Sequence, residues 1–130
     1  MPVIRTALAA LAEGNRPDWC RATAAGVFRL SRVDGRFDRH HHDCDEYWLF
    51  SAGKAKISSE GVEYYVGAGD IVCTRAGEEH DVLEIYEDLL GFYFEDALLP
   101  GGRAGHLHSS PAYAAGHEVP ALPVPPDFPT

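Results

Sequence analysis

Along most of the chain apolar and polar residues alternate over short runs: "GVFRLSRV", "EYWLFS", "KAKISS", "VEYYV", "DIVCT", "DVLEIYE" and "LLGFYFE". A period of two sends alternate side chains to one face, the mark of a half-buried strand, and Val, Ile, Tyr and Phe suit a pleated surface. Turn signals separate the runs at Asp34-Gly35, Ala52-Gly53, Glu60-Gly61, Gly67-Ala68-Gly69 and Ala76-Gly77. A series of short strands without intervening helices predicts an all-β fold, an antiparallel sandwich or barrel. Before it, Ile4, Leu8 and Leu11 fall at helical spacing and Gly14 ends the pattern, which predicts a short N-terminal helix. Three segments follow: a helical one over 1–18, a β unit over 19–100, and a tail over 101–130 that holds six of the nine prolines and no core pattern of its own.

Composition narrows the function classes. A chain of 130 residues, 45% apolar, closes one core and folds as one domain. Its formal charge of −9, from 20 acids against 11 bases with no basic run, repels phosphate backbones and argues against nucleic-acid binding. No run nears the ~18 apolar residues of a membrane span. Arg5 interrupts the only stretch that resembles an export signal, so a cytoplasmic location is expected. The cysteines, Cys20, Cys44 and Cys73, are odd in number and widely spaced, and reduced thiols are expected. Cys73, inside "DIVCT", is expected to be a small buried hydrophobe.

The densest chemistry lies in "RHHHDCDEYWLFSAG". If strand geometry runs through it, His40, His42, Cys44, Glu46, Trp48 and Phe50 share one face, while His41, Asp43 and Asp45 face water. An apolar interior that begins with His and Glu needs a reason, because burying ionisable groups unpaired costs several kcal/mol. A divalent transition metal supplies one: imidazole and carboxylate suit Fe(II), Mn(II), Ni(II) or Zn(II). His80 is the candidate fourth ligand, since it follows a Gly turn and opens a strand whose positions Val82, Glu84 and Tyr86 would share its face.

In these residues the chain resembles the cupin superfamily, small β-barrels whose two motifs hold a metal. Gly35, His40, His42, Glu46 and Gly53 match the first motif, with one residue fewer between Gly35 and His40. Gly69, Gly77 and His80 match the second, where Arg75 replaces the usual Pro and Glu84 the usual Asn. The resemblance spans roughly Val27 to Glu95 and is greatest to compact single-barrel members: sensor domains of arabinose-type regulators and small sugar-isomerase-like cupins. It implies a single antiparallel β-barrel of the double-stranded β-helix, jelly-roll type. It also implies His40, His42, Glu46 and His80 as ligands, and Glu84 as a second carboxylate near the pocket.

Two functions follow from that resemblance. One is an enzyme on a small oxygen-rich molecule, a carbohydrate or organic acid, with the metal as Lewis acid and Glu46 or Glu84 moving protons; with Fe(II) the same ligands admit dioxygenase chemistry. The other is a sensor that binds a sugar without turnover. Trp48, Arg75, Tyr86 and Phe94 are the candidate substrate contacts, although Arg75 could equally pair with a surface acid. His106 and His108 have metal-like spacing but sit in a coil with no supporting strand, so the tail is expected to serve as a lid or dimer arm instead. A homodimer is expected from exposed strand edges.

Overall fold

The computed structural model describes residues 3–6 and 16–129, so most of the expected N-terminal helix lies outside the described residues. Seven strands and one short helix follow: β1 (Ala24–Leu30), β2 (Arg36–Phe37), β3 (Glu46–Ser59), β4 (Val62–Gly67), β5 (Ile71–Thr74), β6 (His80–Glu95), α1 (Pro111–Ala114) and β7 (His117–Glu118). All the pairings between these strands are antiparallel. β6 runs beside the whole of β3, with β1 on its far edge; β3's other edge carries β5 along Glu46–Leu49 and β4 along Lys54–Ser59. β2 and β7 form a separate pair, and among the described residues no ladder closes into a ring.

The two long strands each merge two of the runs read from the sequence. Ala52-Gly53 is a bend inside β3 rather than a turn: Gly53 has φ +99°, and a Cβ there would meet the Asp88 carbonyl oxygen at 2.2 Å. Glu60-Gly61 is a turn, with φ 52° and 79°, the two positive values of a tight hairpin loop whose twist matches its strands.

β6 carries the irregularities that matter. Val82 pairs with Ile57, but Glu84 pairs with Lys56, so Leu83 is an extra residue; the register shifts again between Ala55 and Lys54, between Lys54 and Ala52, and between Ala52 and Phe50. Inward positions therefore change from even numbers to odd: Val82 is core, and so are Ile85 and Leu89. Phe28, Trp48, Phe50, Ile57 and Val66 complete most of that core.

The tail is part of the body. Val119 lies in the core, β7 pairs with β2, and Leu107 exchanges two 2.9 Å backbone hydrogen bonds with His41. On the outer face Val27, Phe92, Leu49 and Ile71 sit side by side across β1, β6, β3 and β5, each at least 39% exposed. Cys73 is also exposed, correcting the expected buried position: in β5 it is Val72 and Thr74 that turn inward.

Candidate metal centre

Backbone pairing brings the cluster together. His40 and His80 exchange backbone hydrogen bonds of 3.3 and 2.9 Å, and the Gly77 amide donates to the His42 carbonyl at 2.8 Å. The His40–Glu46 segment is thereby laid against the start of β6, and alternation turns His40, His42 and Glu46 inward beside His80. All four are buried, and one ligand atom of each lies within 4.8 Å of the others. His41 points away and Cys44 is a buried filler, as parity predicts.

The outer ring nitrogens are held by oxygen. His40 Nδ1 donates to the Asp38 carbonyl, which fixes the proton there and turns the Nε2 lone pair inward. His42 Nδ1 donates to the Gly105 carbonyl at 3.0 Å and lies 2.8 Å from Glu95 Oε1; His80 Nδ1 sits 3.3 Å from Thr74 Oγ1. The inner nitrogens converge, with His40 Nε2 and His80 Nε2 2.9 Å apart. His42 Nε2 approaches Glu46 Oε2 at 2.7 Å but without hydrogen-bond geometry, and so is a buried nitrogen lacking a hydrogen-bond partner. Trp48 donates from Nε1 to Glu46 Oε1 and stacks on His80 at 4.3 Å.

Charge follows from this packing. Burial pushes His40 down to about 4, and burial with the neighbouring imidazoles holds His80 well below its ordinary range. Burial also acts to lower His42, but the carboxylates of Glu46 and Glu95 outweigh it and push that imidazole up to about 10. Two buried carboxylates thus call for positive charge. Three inward imidazole nitrogens, a carboxylate and oxygen-anchored outer nitrogens fit a divalent ion.

A cavity of about 410 Å³ opens on the cluster, lined among others by Phe28, Phe37, His40, Trp48, Tyr93 and Glu95. Trp48 is the one candidate substrate contact that reaches it. Glu84 does not: the Leu83 bulge turns it to the opposite side, where it accepts from the Tyr86 hydroxyl and lies 3.8 Å from Lys56. Tyr86 packs there against Tyr65 and Phe128, at ring distances of 6.1 and 6.0 Å. Phe94 faces outward beside Tyr47, and Arg75 is exposed in an ion pair with Glu60 at 2.8 Å. In their place the same register shift brings in Tyr93 and Glu95; Glu95 pairs in register with Glu46, and its nearness to His42 was hidden from a straight parity count.

The profile of the AraC-like ligand binding domain family matches residues 27–89, a span that contains all four clustered residues. With that match, the antiparallel β architecture around the cluster gives the chain a cupin-type fold, the double-stranded β-helix. A curated relative, the uncharacterized protein y4oW of Sinorhizobium fredii, is 41% identical over 71 residues; the match takes in 55% of this chain and 33% of that protein, so the chain spans about one third of its relative. A Klebsiella pneumoniae protein with a double-stranded β-helix domain aligns at TM-score 0.53 and 16% identity, over 72% of this chain and 90% of the other. The DMSP lyase DddQ of Ruegeria pomeroyi aligns at TM-score 0.56 and 21% identity, over 66% and 42%. These structural likenesses establish the fold of the chain, not its chemistry.

Proposed function

We propose that this chain is a metal-dependent cupin that takes a small oxygen-rich molecule, a carbohydrate or organic acid, into the cavity and acts on it there. The observation that carries the reading is the buried His40, His42, Glu46 and His80 set, converging within 4.8 Å on the cavity that Trp48 also lines. His40, His42, His80 and Glu46 would hold one divalent ion, Fe, Mn, Ni or Zn, which would supply Lewis-acid polarisation of a bound oxygen. The protein's own residues do the rest. The Asp38 carbonyl fixes the tautomer of His40, and Glu95 and the Gly105 carbonyl orient His42. Glu46 and Glu95 are the carboxylates that face the cavity, and they take the proton-handling role once offered to Glu84. Phe28, Phe37 and Trp48 form a wall that excludes water from one side.

Binding without turnover is the second reading, favoured by the match to a ligand-binding family. Metal analysis of protein purified without a histidine tag, followed by profiling with sugars, sugar acids and small keto acids, separates the two. His80→Ala lowers metal content by one equivalent per chain; unchanged content refutes the site, and tight ligand binding with no product refutes catalysis. The outward row of Val27, Phe92, Leu49 and Ile71 supports a homodimer packed through that face, which a solution mass of one chain would end. Three free thiols support a reducing, cytoplasmic setting, which localisation of a tagged full-length protein in its native cell would test.

A further inference from the structure

The tail histidines have the support that a coil would deny them. Leu107 and His41 form a two-hydrogen-bond antiparallel backbone bridge, which lays residues 106–108 beside His40–His42. Alternation about Leu107 turns His106 and His108 to one side, towards the opposing histidines: His106 stacks face to face on His40 at 3.6 Å and 6°, and the His108 ring lies 6.4 Å from His40.

Both then point at one atom. His106 Nδ1 and His108 Nε2 each lie 2.7 Å from Asp38 Oδ2. Asp38, His40 and His106 also present ligand atoms within 4.8 Å of one another; His40 Nδ1 is committed to the Asp38 carbonyl, and His108, outside that group, reaches the same Asp38 oxygen and offers a third donor. The His40 ring separates this position from the buried cluster: its Nε2 faces His80 on one side and its ring face carries His106 on the other. Asp38, His106 and His108 side chains are 25%, 49% and 20% exposed, so an ion from solvent reaches them without opening the core. Two imidazoles and a carboxylate suit Zn(II), Co(II), Ni(II) or Cu(II), with the remaining positions taken by water.

We propose that Asp38, His106 and His108 form a second divalent-metal site at the mouth of the cavity, and that an ion there fastens the 103–109 segment across it. This site does not depend on the buried one. His106 lines the same cavity, and the Gly105 carbonyl anchors His42, so the fastened segment is both a wall of the cavity and a support for its floor.

Co(II) titration of chelator-stripped, untagged full-length protein, read by equilibrium dialysis, tests the proposal. Wild type takes up two ions per chain. His108→Ala and Asp38→Asn each take up one, and His80→Ala also takes up one, held by the outer set. If the buried reading fails and the outer one stands, wild type takes one ion, which His108→Ala removes and His80→Ala does not. If His108→Ala and Asp38→Asn both keep the wild-type stoichiometry with affinity changed less than tenfold, the proposal is overturned. Asp38→Asn preserves the backbone carbonyl that holds His40, so it decides the matter should His108→Ala not fold.

Discussion

Loading the buried cluster should expel a proton, and the amount is set by the packing around His42. Held between Glu46 and Glu95, that imidazole keeps its proton up to about pH 10, whereas His40, pushed to about 4, and His80, lower than its ordinary range, carry none at neutral pH. A metal ligand must give up its proton, so ion and proton compete for His42 alone. At pH 7.5 the release should be about one proton per ion. Three histidines of ordinary pKa, near 6.5, would together release roughly 0.3. The competition costs about 4 kcal/mol of affinity at pH 7, from three pH units at 1.36 kcal/mol each. The sign follows: because the metal-free pKa is raised, affinity falls about tenfold for each unit the pH drops between 8 and 6. Isothermal calorimetry with Zn(II), in buffers of different ionisation enthalpy and in the His108→Ala background, counts the protons from the buried cluster only. A release near 0.3 with a flat affinity profile would refute the reasoning, as would a full proton that survives His42→Ala.

Two further outcomes are expected. Burial, with the charges of Glu95 and Glu46, pushes the Cys44 thiol up to about 12, while Cys73 is exposed; a thiol reagent at pH 8 should therefore modify Cys73 quickly and reach Cys44 only after denaturation, and rapid titration of all three cysteines in the native protein would contradict this. His117 donates from Nε2 to Asp81 Oδ1 at 2.7 Å, and although burial acts to lower its pKa, Asp81 raises it above the ordinary value. A raised folded-state pKa stabilises below about pH 6.5 and loses that contribution as pH climbs through the folded value, here by less than about 1 kcal/mol because the side chain is 38% exposed. Urea midpoints at pH 6 and 9 should differ more in wild type than in His117→Ala; an identical difference would refute the role.

Alternation in the sequence was enough to pick out His40, His42, Glu46 and Trp48, because no insertion interrupts the segment that carries them. His80 was legible from its place after the Gly77 turn. Beyond it parity failed for a local reason: Leu83 is an extra residue in β6, and nothing in "DVLEIYE" marks it, since a bulge is defined by the partner strand. Glu84, Tyr86 and Phe94 were therefore expected on the wrong face, and Glu95 escaped notice. Arg75 was assigned to the pocket for its chemistry alone, and the nearby Glu60 claims it. The tail was read as coreless because its apolar residues are scattered. Val119 in the core and Leu107 beside His41 are isolated contacts, and such contacts leave no periodic trace.

The Leu83 bulge in β6 has a consequence for how the chain finds its fold. His80 and Glu95 begin and end one strand, yet both must turn towards the Glu46 side, although an even and an odd position cannot do so on an uninterrupted ladder. A pairing that slid by one residue would send one of them into solvent. Assembly of the ligand cluster is thus a readout of correct threading between segments far apart in sequence, the slow class of contact in β-rich chains. Metal supplied during refolding should act as a selector, withdrawing the properly threaded molecules from the slipped ones.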